Sequence, residues 1–308
     1  MSHLGAIFDQ LKQGAIGRAT ELLSWTPHEP IVIIPGEWFP EASGWPEEDS
    51  MARIDIAEVS LEVSLAGEGP PLLFLHGGDY FAQNQGFLER LARRWQITIP
   101  RHPGFGGSER PDGFRSVHDL AYLYLELLDR QHLRDVALVG SSLGGWIALE
   151  MCARSVERIG RLVLIDTLGI KFGGREQRDI ADIYALPADE VLRRTFFDPS
   201  SAAPDYTQID DAEAASIATD RAATALYGWR PYMHDPGLRR WLHRVRVPTL
   251  VVWGQSDGIV APNYGQKLCQ SLPDARFELI SEAGHYPQIE RPGAVADAIE
   301  RFARAEVK

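Results

Sequence analysis

A serine between glycines, at the junction of a strand and a helix, constrains this chain of 308 residues more than any other feature. The apolar run 135–140 is typical of a buried strand, residues 145–150 favour a helix, and Gly140-Ser-Ser-Leu-Gly144 joins them. A strand that turns sharply into a helix holds the middle residue in a strained conformation, with its side chain standing clear. The G-x-S-x-G spacing therefore predicts that Ser142 is a nucleophile at a helix N-terminus. A serine helix cap between chance glycines is the alternative explanation.

Composition is typical of a soluble globular enzyme, with 44% hydrophobic and 24% charged residues. The formal net charge of −12 argues against nucleic acid and anionic membrane surfaces as partners, because both attract clustered lysine and arginine. The N-terminal residues show no basic segment followed by an apolar core, and no apolar run approaches the roughly 20 residues of a membrane helix. We therefore expect a cytoplasmic protein that acts on a small molecule.

The cysteines and histidines do not have the spacing of metal ligands. Cys152 and Cys269 are the two cysteines, and Cys152 falls in an apolar helical stretch where a small buried side chain is expected. The spacings CxxC and HExxH, which are typical of zinc sites, do not occur in the sequence. We expect no metal and no cofactor.

Residues 1–50 differ from the rest of the chain and are predicted to form an N-terminal extension. Residues 31–34 are strand-like, and residues 35–48 are rich in proline, glycine, tryptophan and acidic residues. Helical spacing relates four apolar residues near the start: Leu4, Ile7, Phe8 and Leu11. These side chains need a partner surface, so we expect the extension to pack on the main domain or to form a homo-oligomer.

From residue 51 onward the pattern predicts an α/β domain. Alternating apolar residues from Ile54 to Leu65 predict a half-buried antiparallel pair with a turn near residues 67–70. Buried strands near residues 72, 97, 136 and 162, separated by helices, predict crossover units and a mainly parallel sheet with flanking helices. Regular alternation lapses between residues 171 and 243. We therefore predict an α/β core of residues 51–170 and 244–308, with residues 171–243 inserted as a helical cap.

A serine hydroxyl becomes a strong nucleophile only when a base takes its proton, and a carboxylate must orient that base. The reactive loops of a parallel sheet gather at the carboxyl ends of its strands. Asp257, just past a strand, and His285, in the loop after the final strand, complete the chain order serine, acid, histidine. Asp166 also ends a strand and is the rival acid. His102 lies in a loop at the same edge and is an alternative pocket residue.

The oxyanion of an acyl-transfer intermediate needs two backbone N–H donors. The N–H of Leu143 directly follows the candidate nucleophile, and the second donor is expected in the loop after the first parallel strand, at Gly78. His76, which begins this loop, is expected to tie it to its neighbour.

Aromatic residues near the expected pocket predict a mostly apolar acyl or aryl site with few polar anchors. Packing in the core is the alternative explanation for these aromatic residues. For Trp146, on the helix behind the serine, the pocket and core explanations have equal weight. The predicted pocket residues are Asp79, Tyr80, Phe81, Ser141, Trp146, Trp229, Tyr232 and Tyr286.

Five segments, spread in order over residues 53–305, carry a resemblance to a known family. They are His76-Gly-Gly78, Pro103-Gly-Phe-Gly-Gly-Ser108, Gly140-Ser-Ser-Leu-Gly-Gly145, Trp253-Gly-Gln-Ser-Asp257 and Gly284-His-Tyr-Pro-Gln-Ile-Glu290. The chain resembles α/β-hydrolase fold proteins of the branch with a helical cap between the sixth and seventh strands. The resemblance does not cover residues 1–50. It implies a catalytic triad of Ser142, Asp257 and His285. It also implies an oxyanion hole formed by the N–H groups of Gly78 and Leu143.

The resemblance implies hydrolysis and leaves the substrate open. Similar capped proteins include carboxylesterases, lactonases, C–C bond hydrolases of meta-cleavage products and cofactor-free perhydrolases, whereas epoxide hydrolases and haloalkane dehalogenases have aspartate where this chain has Ser142. The segment after His285 resembles the C–C hydrolases, although Tyr286 replaces their usual tryptophan and Ser141 their usual asparagine. C–C hydrolases also bind a substrate carboxylate through arginine, for which the candidates are Arg175, Arg178, Arg193, Arg194 and Arg230.

We therefore predict a serine hydrolase that cleaves a small to medium, largely apolar ester or lactone through an acyl-enzyme. A C–C bond hydrolase of meta-cleavage-type diketones is the alternative. Perhydrolysis and ligand binding without catalysis are the further alternatives.

Overall fold

A computed structural model of the protein describes residues 51–174 and 176–305. These residues form an eight-stranded sheet of order β1-β2-β4-β3-β5-β6-β7-β8. Strand β2 is antiparallel to both of its neighbours, β1 and β4, and the other pairings are parallel. The strands are β1 Ala52–Ile56, β2 Val59–Ala66, β3 Pro71–Leu75, β4 Gln96–Pro100, β5 Val136–Ser141, β6 Ile159–Ile165, β7 Thr249–Gly254 and β8 Ala275–Ile280. The predicted mainly parallel sheet is confirmed.

Helices connect the parallel strands. They are α1 Gln85–Ala92, α2 Val117–Arg130, α3 Leu143–Arg154, α4 Ala188–Thr195, α5 Pro199–Ala202, α6 Asp211–Gly228, α7 Pro262–Ser271, α8 Pro287–Glu290 and α9 Pro292–Arg304, with 3-10 turns at Ala82–Asn84 and Leu238–Arg244. Helices α4, α5 and α6 lie between β6 and β7, where no strand is described. The bounds of the cap stay a prediction, and the N-terminal extension and Arg175 lie outside the described residues. None of the helices seen in 51–174 and 176–305 is long and apolar enough to cross a membrane.

The antiparallel pair has its turn at a different place from the one predicted. Strands β1 and β2 are joined at Ala57 and Glu58, which have φ angles of +50° and +66°. Neither residue type is typical of a hairpin turn, so these two positions carry no turn signal. The predicted turn at residues 67–70 instead leads from β2 into β3.

The centre of the sheet positions the candidate nucleophile. Every residue of β5 is buried, and β5 pairs with β3 on one side and β6 on the other. Helix α3 follows after one residue and is buried from Leu143 to Ala153. Because both elements are packed on all sides, the single residue between them has little freedom to move.

Candidate active site

The single residue between β5 and α3 is Ser142, and its backbone is strained. Its φ and ψ are +52° and −113°, a conformation that costs a non-glycine residue about 1–3 kcal/mol. The flanking glycines permit this turn. A Cβ atom at Gly140 would lie 2.4 Å from the carbonyl oxygen of Gly144, and one at Gly144 would lie 2.0 Å from that of Leu75. The neighbouring backbone therefore leaves room only for glycine at positions 140 and 144.

A chain of hydrogen bonds joins Ser142 to a base and an acid. The Oγ atom of Ser142 lies 2.9 Å from Nε2 of His285, and Nδ1 of His285 lies 2.8 Å from Oδ2 of Asp257. The other carboxylate oxygen of Asp257 accepts the N–H groups of Ile259 and Val260 at 2.8 and 2.9 Å. All three side chains are buried. This is the geometry of a serine activated by an oriented imidazole.

The backbone on both sides of His285 is also held in place. The His285 N–H donates to the carbonyl oxygen of Thr195, at the end of α4, at 2.6 Å. The N–H of Gly284 donates to the Glu290 carboxylate at 2.6 Å, within the turn that leads into α8. The backbone at His285 is therefore held by the segment between β6 and β7 and by Glu290 of α8.

The loop after β3 carries the predicted second oxyanion donor. The hydroxyl of Thr224, on α6, donates to the Gly78 carbonyl at 3.0 Å, and a Cβ atom at Gly78 would lie 2.6 Å from the Thr224 side chain. Gly78 and Leu143 both line the cavity that holds Ser142. Their roles as donors stay a prediction.

Two buried histidines tie this loop to the loop after β4. The rings of His76 and His102 stack with centroids 3.8 Å apart, and the His102 N–H donates to Nε2 of His76 at 3.1 Å. His102 also bonds the Tyr124 hydroxyl through Nδ1 at 2.6 Å. Burial lowers the pKa of His76 well below its usual value and that of His102 to about 3, so both rings are neutral. The predicted tie by His76 agrees with this geometry, and His102 lies outside the cavity lining.

Because both histidine rings are neutral in the folded protein, we expect the protein to lose stability at acidic pH. The unfolded chain binds protons at histidine below about pH 6.5, whereas folded His102 does not until about pH 3, so the free energy of unfolding falls as the pH drops through this window. Between pH 7 and 5 we expect His102 to contribute a loss of about 2 kcal/mol, measured by urea unfolding. His102→Asn should flatten the pH dependence and His132→Asn, at an exposed residue, should not. Equal slopes in both variants would contradict the assignment.

A cavity of about 480 Å³ opens beside Ser142. Its wall includes eight of the predicted site residues, namely Gly78, Asp79, Tyr80, Ser142, Leu143, Tyr232, His285 and Tyr286. Most of the remaining wall is aliphatic and comes from the segment between β6 and β7, including Ile180, Ile183, Leu186, Val191, Leu192 and Ile217. The sequence did not single out these residues, because aliphatic residues at helical spacing look the same in a core and in a pocket.

The charged groups of the cavity wall form an ion pair. Arg221, on α6, donates through Nε to the Asp79 carboxylate at 3.2 Å. Burial raises the pKa of Asp79, and the Arg221 guanidinium acts in the opposite direction. Burial also raises the pKa of Tyr286 well above its usual range, so its hydroxyl keeps its proton beside Ser142.

Two predicted pocket residues next to the site face away from it. Phe81 packs edge-on against His76, and its ring lies 4.0 Å below the Arg101 guanidinium carbon. Ser141 Oγ accepts a hydrogen bond from Nε2 of Gln288 at 3.0 Å, behind the nucleophile. Neither lines the cavity, which corrects the prediction for both. Ser141 is the last residue of β5, whereas Ser142 lies in the turn after it, so the two side chains make different contacts.

Both predicted tryptophans lie outside the cavity as well. Trp146 is buried on α3, and its indole N–H donates to Glu150 at 3.3 Å, one helical turn later. Trp229 is 51% exposed, with its ring against Tyr184 and Tyr232. Trp146 therefore belongs to the core packing that was its alternative explanation.

Five arginines were predicted from the C–C hydrolase resemblance. The four that lie within the described residues do not line the cavity. Arg178 pairs with Asp182, and Arg193 and Arg194 both pair with Glu190. Arg230 lines a separate surface groove. Sequence reasoning missed Arg221, the arginine in the cavity wall, and its place in a long helix gave no signal.

The two candidate acids lie side by side. His285 bonds Asp257, as expected, and the rival Asp166 accepts the N–H of Gly254 through Oδ1 at 3.0 Å. Both follow the ends of neighbouring parallel strands, which explains why sequence position alone left both open.

The sequence matches a known family over most of the described residues. A family model described as alpha/beta hydrolase family matches residues 72–298. The 2-hydroxy-6-oxo-6-(2'-aminophenyl)hexa-2,4-dienoic acid hydrolase of Metapseudomonas resinovorans is 26% identical over 253 residues, 77% of this chain and 85% of that protein.

Two solved structures share the fold at lower sequence identity. The 2-hydroxy-6-oxo-6-phenylhexa-2,4-dienoate hydrolase of a Rhodococcus species is 23% identical with a TM-score of 0.68, covering 83% of this chain and 98% of that one. A thermophilic esterase from Thermogutta terrifontis is 23% identical with a TM-score of 0.62, covering 82% and 98%. At these identities the likeness concerns the fold alone.

Proposed function

The chain belongs to the alpha/beta hydrolase family, and on that premise we propose that it is a serine hydrolase that cleaves a largely apolar carboxylic ester or lactone. The observation that carries this proposal is the chain of hydrogen bonds from Ser142 through His285 to Asp257 at the wall of an apolar cavity. Acyl transfer needs a nucleophile, a base, an orienting acid and space for the acyl group, and the contacts of these three residues beside the cavity support a role for each.

The proposed reaction forms and breaks an acyl-enzyme. Ser142 Oγ attacks the ester carbonyl while its proton passes to Nε2 of His285, and the N–H groups of Gly78 and Leu143 stabilise the oxyanion. Asp257 accepts Nδ1–H and so keeps Nε2 free to act as the base. The imidazolium then gives its proton to the leaving alkoxide, and the alcohol departs. In the second half His285 takes a proton from water, and the resulting hydroxide attacks the acyl carbon. As the bond from that carbon to Ser142 Oγ breaks, the imidazolium returns the proton to Oγ, and the acid departs.

The cavity favours a neutral, apolar acyl group. Its wall is mainly aliphatic, and its arginine already has a carboxylate partner in Asp79. An apolar chain placed there would gain about 0.8 kcal/mol for each methylene removed from water. An anionic substrate would instead compete with Asp79 for Arg221.

A substitution in the cavity wall should shorten the accepted acyl chain. Leu192→Trp fills space on the cavity side of α4, so we expect kcat/KM for p-nitrophenyl octanoate to fall about tenfold or more relative to p-nitrophenyl acetate. The matched control is Arg193→Trp, which places the same side chain on the exposed face of α4. The proposed acyl site is wrong if both variants keep the wild-type ratio of the two esters.

Hydrolysis of a C–C bond is the second candidate, because two relatives are named as hydrolases of substituted 2-hydroxy-6-oxohexa-2,4-dienoic acids. Those names describe dienoic acids, which carry a carboxylate. We expect 2-hydroxy-6-oxo-6-phenylhexa-2,4-dienoate to be turned over far more slowly than p-nitrophenyl butyrate. Faster cleavage of the dienoate, lost in Arg221→Met, would favour this candidate and assign Arg221 as its carboxylate anchor.

A further inference from the structure

Two aspartates meet where neighbouring parallel strands end. Asp166 follows β6, and Asp257 lies in the loop after β7. A carboxylate oxygen of each and a ring nitrogen of His285 all lie within 4.8 Å of one another, and all three residues are buried. Two ionised carboxylates this close, away from water, would repel each other strongly. The arrangement therefore favours one proton held between the two acids.

The hydrogen bonds of Asp257 identify it as the ionised member. It accepts from two backbone N–H groups at Oδ1 and from His285 Nδ1 at Oδ2. Three hydrogen-bond donors therefore point at its two oxygens, which suits a negative charge. A carboxylate has about four acceptor positions, so one more donor can be accommodated.

Asp166 has the opposite surroundings. Its Oδ1 accepts the N–H of Gly254, and its Oδ2 is fully buried and has no hydrogen-bond partner among residues 51–174 and 176–305. An ionised oxygen in that position would be an unpaired buried charge, whereas a protonated one is a donor beside an acceptor. Burial, and next the charge of Asp257, raise the pKa of Asp166 well above its usual value. The charge of Glu290, on α8, raises the pKa of Asp166 further.

The backbone at Asp166 is strained in a way that directs its side chain. Its φ is +42°, in the left-handed region that favours glycine and costs other residues about 1–3 kcal/mol. Its N–H donates to the Val252 carbonyl oxygen at 3.1 Å, which anchors the residue to β7. A carboxyl group held by a strained residue against a second carboxyl group indicates a role for that side chain.

We propose that Asp166 is a positioning residue whose protonated carboxyl group donates a hydrogen bond to Asp257 and holds it in the orientation that accepts Nδ1–H from His285. This inference rests on the proposed function. The proton stays on Asp166 throughout the reaction, and Asp257 carries the negative charge that faces the His285 imidazolium.

Infrared spectroscopy tests the proton without requiring activity. The full-length wild-type protein at neutral pH is expected to show the carbonyl stretch of a buried protonated carboxyl group. The band should be absent from Asp166→Asn and retained in Ser142→Ala. A band unchanged by Asp166→Asn would overturn the inference.

Kinetics of two substitutions test the positioning role. Asp166→Leu removes the donor, and we expect kcat for p-nitrophenyl butyrate to fall about 100-fold with KM little changed. Asp166→Asn supplies an amide donor to Asp257 and an acceptor to Gly254, so it is expected to recover most of that loss. Equal losses in both variants, with both folded by thermal unfolding, would overturn the inference.

The alkaline side of the pH profile is a readout that a purely structural role would not move. Ionisation of Asp166 at high pH would remove the donor, so wild-type kcat should fall reversibly there, and Asp166→Asn should lack that fall. This comparison and the infrared band decide the matter even if Asp166→Leu does not fold. Turnover by Ser142→Ala would refute the proposed function and leave the infrared result intact, so the two failures are distinguishable.

Discussion

Replacing Ser142 with alanine is expected to lower kcat for p-nitrophenyl butyrate by about 10⁶-fold, to the residual rate that substrate binding and the oxyanion donors can support. The substitution removes one hydroxyl from a hydrogen bond to His285 and leaves the Gly140 and Gly144 backbone unchanged. The fold should therefore be retained. Initial rates with the ester, together with thermal unfolding, check both statements.

The neighbouring serine provides a matched control. Ser141 lies one residue earlier and bonds Gln288 rather than His285. A fluorophosphonate should label wild type and Ser141→Ala at Ser142, whereas Ser142→Ala should give no adduct by mass spectrometry. Labelling of Ser142→Ala, or full ester turnover by it, would refute the assignment of the nucleophile. An unlabelled wild-type protein would favour the reading of this fold as a binding module.

The parts of the site that the sequence predicted best are those controlled by local geometry. A strand, two glycines and a helix leave Ser142 one conformation, and the strain at its φ of +52° follows from that short stretch. Asp257 and His285 could be predicted because the ends of parallel strands converge at one edge of the sheet. A single sequence does not give the distances between these side chains. The hydrogen bonds of 2.8 and 2.9 Å could therefore be identified only from the structure.

The cavity wall was less predictable because it depends on packing between distant segments. Trp146 is a large aromatic residue close in sequence to the nucleophile, yet it packs within α3 against Glu150. Leu192 and Ile217 line the cavity, although the helices that carry them are otherwise rich in charged, polar and small residues. Large aromatic residues occur both in cores and in pockets, so residue type did not distinguish core positions from pocket positions. Which face of each helix meets the sheet decides the lining, and sequence spacing leaves that open.

The two candidate acids, Asp166 and Asp257, could not be distinguished by their positions in the sequence. Both residues follow the end of a buried parallel strand, and their positions in the sequence are equivalent in that respect. Their hydrogen bonds differ completely, since Asp257 accepts three donors and Asp166 accepts one. Both residues could be picked out from the sequence, and the distribution of hydrogen-bond donors between them distinguishes Asp257, which contacts His285, from Asp166.

Asp257→Asn is expected to lower kcat for p-nitrophenyl butyrate by about 10⁴-fold with little change in KM. The amide oxygen can still accept the N–H groups of Ile259 and Val260, which turns the amide NH₂ toward Nδ1 of His285. His285 must then accept at Nδ1 and carry its proton on Nε2. An imidazole in that tautomer cannot take the proton of Ser142, so the loss falls on the chemical step and not on binding.

Asp166→Asn is the matched control for this substitution, because it makes the same change in the adjacent buried carboxyl group. We expect its loss of kcat to be far smaller, since an amide can replace a protonated carboxyl group but not a charged acceptor. Steady-state kinetics of both variants, with thermal unfolding to confirm their folding, make the comparison. A larger loss in Asp166→Asn than in Asp257→Asn would exchange the two roles, and equal losses would mean that the acid function is shared by the pair.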